Sequence, residues 1–379
     1  MTLMKTPRSV DLLITGKCNL RCKYCSYFSS GAEVEEDLPT EEWLTFFEEL
    51  NRSMVMDVCF QGGEPLMRPD LPELIQGVVR NGMRFSILSN GTLITDETAQ
   101  FLASTGRCNY VQVSIDGSGA ETHDVCRGAG NFERAVNGLK LLQKHKVPAT
   151  VRVTIHRGNV RDLDNVARLL LEDFGLSSFG CNSASHLGLC RKNAEQVQLS
   201  AEERSLAMKS LIALSRKYDG RISATAGPLA EARAWREMER AREQGLEGLP
   251  GRGFLVGCGT SFSKIGVRAD GVMVPCVQIP DMALGRINSD DLTEIWQNNS
   301  ELNRFRNRRE IPLSSFEFCA GCDYTQYCTG NCPATSYTLV HDAWHPSPDS
   351  CFRSFLQSGG TLPPEEELSS STQGGICHE

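Results

Sequence analysis

The 379-residue chain has no run of about 18 apolar residues, so no membrane-spanning helix is expected. Its opening, "MTLMKTPRSVDLL", carries no long apolar stretch ahead of a cleavage site. No signal peptide is therefore expected, and the expected compartment is the cytoplasm. Long basic runs are also missing and the net charge is −8, which argues against nucleic acid as a partner. The local exception, "RFRNRRE" over residues 304–310, reads as a solvated helix face. Internal repeats are absent. Aromatic residues make up only 7%, but 40% hydrophobic and 23% charged residues are ordinary for a globular protein. The length suits two or three domains, or one large barrel with an extension.

Cysteine, in contrast, is abundant, at 16 residues. In a reducing compartment a disulfide framework is disfavoured, and metal or cluster ligation is the better expectation. The first group is "KCNLRCKYC", which sets Cys18, Cys22 and Cys25 in the spacing C-x₃-C-x₂-C. Zinc wants a fourth ligand nearby, yet no Cys or His follows before Cys59. A redox pair of Cys22 and Cys25 leaves Cys18 unexplained. A four-iron cluster on three thiolates leaves one iron open for a small chelating cofactor.

Around that motif, strand-like and helix-like segments alternate. Strands are expected at 9–15, 56–61, 84–89, 110–115, 150–155 and 177–183, where short β-branched runs lead into Gly or Asn turns. Helical patterns lie between them. "PTEEW" and "TDET" supply N-cap residues with acids in the first turn. Six such units predict an α/β fold, a parallel sheet curved into a partial (β/α)6 TIM-like barrel. Chemistry in such folds sits at the C-terminal ends of the strands, where the three cysteines fall.

"CNLRCKYC" resembles the signature of the radical S-adenosylmethionine enzymes. The resemblance implies that the open iron binds S-adenosylmethionine, and that cleavage of the cofactor yields a 5′-deoxyadenosyl radical that removes hydrogen from a substrate. Four further segments fit in order: "QGGEP" (61–65), "SNGT" (89–92), "SIDG" (114–117) and Arg127 in "HDVCRG". By resemblance, Gly62 and Gly63 would meet the cofactor's amino group through their backbone, with Glu64 nearby. Tyr24 would lie beside the adenine, and Asn90 would lie in the site at the end of the third strand. Ser114 and Asp116 would face the ribose or carboxylate, and Arg127 would pair with the carboxylate.

Seven more cysteines lie between 258 and 351: Cys258, Cys276 (after Gly271, G-x₄-C), Cys319, Cys322, Cys328, Cys332 and Cys351. Seven ligands are too many for one metal and too few to close two four-ligand sites. The pattern is similar to the SPASM extension of radical S-adenosylmethionine enzymes, which binds two auxiliary 4Fe-4S clusters, for three clusters in all. That resemblance implies Cys258, Cys276 and Cys332 on the nearer cluster, and Cys319, Cys322, Cys328 and Cys351 on the farther. Where some members supply an eighth cysteine, this chain has Lys264. A zinc ribbon of similar spacing is the alternative. Among the remaining cysteines, Cys59 and Cys181 read as small buried residues and Cys377 as part of the tail. His123, His186 and His341 have no ligand-like spacing and read as structural.

The expected organisation is a barrel over 1–200, helical bridging segments over 201–254, a Cys-rich cluster domain over 255–355 and a disordered polar tail over 356–379. Family members with such extensions oxidise peptides or proteins most often. The expected activity is oxidative maturation of a ribosomal peptide: a crosslink, a thioether or a decarboxylation. The alternative is a small-molecule dehydrogenase of aminoglycoside or tetrapyrrole type. A formylglycine-generating sulfatase maturase is less favoured. That branch has an Asp after the G-x₄-C cysteine, where this chain has Val277, although Asp281 follows closely. Expected partners are a peptide or protein substrate, a flavodoxin- or ferredoxin-type electron donor and, since only 17 residues precede Cys18, a separate leader-binding protein.

Overall fold

The computed structural model describes residues 3–31, 33–34, 36–256 and 258–364. Within these, β1 (Ser9–Thr15), β2 (Asp57–Gly62), β3 (Arg84–Ser89), β4 (Cys108–Ser114), β5 (Ala149–Ile155) and β6 (Phe179–Ser183) lie side by side. Each pairs parallel with the next, for instance Val10 opposite Val58 and Val58 opposite Phe85. The helices between them are α1 (Thr40–Arg52), α2 (Leu71–Arg80), α3 (Asp96–Ser104), α4 (Ala120–Arg127), α5 (Asn131–Lys144) and α6 (Leu163–Arg168). The six expected strands and their order are present, with ends moved by one or two residues.

Helix α1 shows why the layers hold. Trp43, Phe46, Phe47 and Leu50 fall at i, i+3, i+4 and i+7 and are fully buried. Phe47 packs against Phe60 of β2, which meets Phe85 of β3. On β1 the alternate residues Val10, Leu12 and Ile14 face this helical layer. Thr40 is not the N-cap expected from "PTEEW": it is the first helical residue, and its hydroxyl donates to Asp70 instead. Thr95 does cap α3, accepting from the Thr98 backbone at 3.2 Å.

After short helices α7 (Gly188–Lys192) and α8 (Ala194–Val197), the 201–254 stretch holds α9 (Ala201–Lys217), β7 (Ile222–Ala224) and α10 (Pro228–Glu243). Ser200 and Glu203 close a reciprocal capping box on α9. The stretch expected to be purely helical also adds a strand, because β7 extends the sheet parallel to β6.

The Cys-rich region joins the opposite edge. It runs α11 (Thr260–Ser263), β8 (Lys264–Val267), β9 (Val272–Val274), β10 (Gly285–Arg286), α12 (Leu292–Asn298), α13 (Ser300–Arg306), α14 (Pro333–Val340) and α15 (Phe352–Gln357). Strand β8 pairs parallel with β1, Val10 opposite Ile265, and β9 and β10 follow antiparallel. Across "LTEIWQNNSELNRFRN" the helical run is interrupted. Asn299 breaks it, its side chain accepting from the Leu302 backbone at 3.0 Å to cap α13.

Two expectations are overturned here. "RFRNRRE" is solvated only in part: Arg304, Asn307, Arg309 and Glu310 are exposed, but Arg306 is 4% and Arg308 0% exposed. The tail expected from 356 is ordered through 364. Helix α15 runs past 356, Phe352 and Phe355 stack on Trp235 at 5.1 and 4.8 Å, and Thr361 donates to Ser205. Residues 365–379 of that tail, Cys377 included, lie outside the described residues.

Candidate active site

The three-cysteine loop leaves β1 at Thr15 and is tied down on both sides. Gly63 donates to the Thr15 carbonyl and Glu64 to the Lys17 carbonyl, each at 2.8 Å. Gly62 has φ +140°, and a Cβ there would lie 2.4 Å from the Thr15 oxygen. A Cβ on Gly63 would lie 2.1 Å from the Lys17 oxygen. The two glycines are therefore required by the approach of the β2 end to the loop. On the other side Lys23 donates to the Cys126 carbonyl at 2.9 Å, and Leu189 to the Cys25 carbonyl at 2.8 Å. Burial pushes the Cys22 thiol up to about 11, so deprotonation needs a ligand that rewards the thiolate.

The polar residues at the strand ends converge on this loop. The Glu64 carboxylate is 1% exposed and accepts from Ser89 Oγ at 2.8 Å and the Asn90 backbone at 2.7 Å, which ties the end of β2 to the end of β3. Burial raises its pKa. Asn90 donates to Asn19 Oδ1 at 2.9 Å, inside the cysteine motif. Asp116 is fully buried and takes Arg127 Nε at 2.5 Å, the Thr154 backbone at 2.8 Å and the Tyr24 hydroxyl. Its pKa is lowered: burial alone would raise it, but the Arg127 guanidinium and its hydrogen bond outweigh that. Arg127, 8% exposed, also sits 5.4 Å from the Tyr24 ring. Ser114 is half-buried at the end of β4. Seven of the eight residues expected around the cofactor thus lie at the strand ends and in the helix that follows β4, and Tyr24 lies in the cysteine loop itself.

His156 was not singled out from the sequence, yet it belongs to this group. It follows β5 directly, is fully buried and stacks on Tyr24 with ring centres 5.5 Å apart. Its Nδ1 accepts from the Gly158 backbone at 3.0 Å, which leaves the proton on Nε2, and Nε2 has no partner among the described residues. Burial lowers its pKa to about 4, so the ring is neutral. A lone His after a strand gives no spacing signal; its position at a strand end was the available clue. His123 is structural as expected, since its Nδ1 accepts from the Asp116 backbone. His186 pairs with Asp349 at 3.0 Å. Cys181 is buried as expected, while Cys59 is only half-buried, opposite Asp11.

The seven later cysteines fall into two groups. Cys319, Cys322, Cys328 and Cys351 line a single cavity. Burial pushes the Cys276 thiol up to about 12, and Cys258 and Cys332 are the cysteines that add to the push. Among the described residues no three Cys, His, Asp or Glu side chains converge closely enough for one metal ion. A donor set made of soft thiolates suits an iron–sulfur cluster. Lys264 is no ligand: it opens β8 and its ammonium faces Asp11 at 3.8 Å.

Between the cysteine loop and the Cys-rich region lies a cavity walled by Ser26, Arg191, Gln278, Asp281, Tyr337 and His341 among others. Gln278 bridges to Ser26 at 3.3 Å, and the Tyr337 hydroxyl donates to Asp281 Oδ2 at 2.8 Å. Val277 packs with Leu13 and Tyr27 instead.

Comparison with known proteins agrees with this architecture. Residues 12–170 match the Radical SAM superfamily, and residues 258–323 match an iron-sulfur cluster-binding domain, SPASM. An Fe-coproporphyrin III synthase of Methanosarcina barkeri is 30% identical over 89% of this chain and 86% of its own. An AdoMet-dependent heme synthase of the same organism is 28% identical over 93% and 99%. A PqqA peptide cyclase of Rhizobium meliloti is 25% identical over 95% and 91%. Streptococcus suis SuiB, in a crystal structure bound to precursor peptide SuiA, superposes with TM-score 0.70 at 14% identity, over 92% of this chain and 77% of that one. The chain belongs to the radical S-adenosylmethionine superfamily, in its SPASM branch. Its chemistry is of the oxidoreductase type, with S-adenosylmethionine and iron–sulfur clusters as cofactors. No helix of the described residues is long and apolar enough to cross a membrane.

Proposed function

We propose that the protein oxidises a side chain of a ribosomally made peptide in the cavity between the cysteine loop and the Cys-rich region. Its polar lining carries the reading. Ser26, Ser29, Ser30, Arg191, Gln278, Asp281, Thr338 and His341 suit a peptide with its amides and charges, whereas a tetrapyrrole ring asks for a broad apolar slot. Cys18, Cys22 and Cys25 would hold the first cluster. S-adenosylmethionine would lie against Tyr24, Gly62, Gly63, Glu64, Asn90, Ser114, Asp116 and Arg127. Cys258, Cys276 and Cys332 would hold one auxiliary cluster, and Cys319, Cys322, Cys328 and Cys351 another. When bound, these groups supply a hydrogen-abstracting radical and an electron sink.

The chain's own part is orientation and proton management. His156 Nε2–H offers a donor into the cofactor site. Asp281, held by the Tyr337 hydroxyl, would take the second hydrogen as a proton. A formylglycine-type base directly after Cys276 is disfavoured, because Val277 sits in an apolar contact. A flavodoxin- or ferredoxin-type donor and a separate leader-binding chain would serve the reaction.

Anaerobic incubation of the reconstituted protein with S-adenosylmethionine, a reductant and peptides encoded beside its gene tests this. A peptide that loses two hydrogens as 5′-deoxyadenosine rises supports it, and Asp281→Asn should then cut conversion about 100-fold while cofactor cleavage continues. The names of the two archaeal relatives favour a second reading, a tetrapyrrole substrate. Unchanged peptides together with a mass change in iron coproporphyrin III would establish that reading and end the first.

A further inference from the structure

Two arginines of the misread "RFRNRRE" segment are buried, and their surroundings differ. Arg306 donates from Nε to the Ser261 carbonyl at 2.9 Å, and from Nη1 to the Trp296 carbonyl at 2.6 Å and Asn303 Oδ1 at 2.8 Å. Its guanidinium also lies 4.3 Å from the Trp296 ring. Such contacts make it a structural pin, with Nη2 its one donor lacking a partner among the described residues. Arg308, 0% exposed, places only Nη1, on the Val256 carbonyl at 2.7 Å. Its Nε and Nη2 have no hydrogen-bond partner among the described residues.

A buried guanidinium with two unplaced donors is expensive to fold around unless something accepts from it. Burial acts most strongly on the Arg308 guanidinium, and against it act Cys332, Cys258 and Asp342, in that order. The first two are cysteines of one ligand set. Val256, its placed acceptor, is two residues before Cys258. A cluster held there carries thiolate and sulfide acceptors and gains negative charge on reduction.

We propose that Arg308 is a positioning residue of the auxiliary cluster on Cys258, Cys276 and Cys332: its Nε and Nη2 donate hydrogen bonds to the cluster's sulfurs and make it easier to reduce. This rests on the reading of those three cysteines as holders of one cluster. It also gives that cluster, which no eighth cysteine closes, a fixed cation at its side. An electron leaving the substrate would find a better acceptor there than on a cluster without such donors.

The test is an EPR-monitored redox titration of the full-length reconstituted protein. The signal that Cys276→Ala removes reports this cluster. In Arg308→Gln the signal should persist with its reduction equilibrium shifted at least tenfold toward the oxidised form, about 59 mV for one electron. Arg308→Lys, which keeps the charge and loses the fork, should shift it less, and it carries the test if the Gln variant does not fold. Denaturant unfolding of the cluster-free protein gives a second readout. Arg308→Met should leave that stability unchanged or higher, because it removes an unpaired buried cation. A fully loaded Arg308→Gln that titrates like the wild type overturns the inference, as does a large loss of cluster-free stability in Arg308→Met. If the wild type shows no signal that Cys276→Ala removes, the cluster reading falls and Arg308 falls with it.

Discussion

Cys18, Cys22 and Cys25 sit on one loop between β1 and the helical layer, held by backbone hydrogen bonds from Gly63, Glu64 and Leu189 and to Cys126. The seven later cysteines come from separate segments joined by single turns such as Glu317–Cys319 and Thr325–Tyr327. In the first region a rigid sheet presents the thiols, and strand ends supply the rest of the site. In the second little regular structure does so, and contacts such as Trp235 with Phe352 pin the segment that carries Cys351. On the proposed assignment, the fold pre-organises the site where a radical would be aimed, and leaves the region proposed to accept electrons to be shaped largely by its clusters.

The largest effects should separate the two regions. Cys18→Ala should reduce S-adenosylmethionine cleavage to background with thermal unfolding nearly unchanged, because the loop's backbone ties remain. Cys322→Ala should leave cleavage measurable and uncoupled, reduce product formation, and render the residues after 255 susceptible to limited proteolysis. Deoxyadenosine and product assays beside a proteolysis time course read both. A Cys18→Ala protein as protease-sensitive as Cys322→Ala would break the comparison.

Glycines next to the cysteines give a smaller and sharper contrast. Gly63→Ala places a Cβ 2.1 Å from the Lys17 oxygen, so the loop must shift. The expected cost is on the order of 1–3 kcal/mol, with weaker cofactor binding. At Gly259, beside Cys258, an added Cβ would meet nothing within 4 Å. Gly259→Ala should stay within ~0.5 kcal/mol. Denaturant midpoints of the two variants decide it.

The same division governs what the sequence could disclose. Strands β1 to β6 were legible because β-branched runs ending in turns survive in any context that buries both faces. Strands β7 to β10, two to four residues long, carry no periodicity and exist only because sheet edges accept them. The residues GGEP, SIDG and Arg127 were legible through the resemblance, and their partners were not. That Asp116 holds both Arg127 and Tyr24, or that Tyr337 reaches Asp281, depends on packing across long stretches of chain. Arg308 was misread because a charge pattern says nothing about what packs over it. His156 was missed because a single imidazole after a strand looks like any other.

The smallest expected effect lies inside the barrel. His123 and His156 are buried, each with its pKa lowered from 6.5 to about 4 by loss of hydration. Between those values the unfolded chain binds a proton at each ring and the folded chain does not, so stability falls as pH drops through that window. Each ring should cost about 2 kcal/mol between pH 7 and pH 5. Glu64 opposes this in part, since its raised pKa lets the folded state take up a proton more readily. The difference between variants isolates the imidazole. Urea unfolding of the cluster-free protein at the two pH values should show a shallower pH dependence in His156→Asn than in the wild type, whatever the variant's stability at pH 7. An unchanged slope would mean that the ring is solvated and titrates normally. It would then not be held neutral against Tyr24, and Nε2–H would lose its place as a preset donor in the cofactor site.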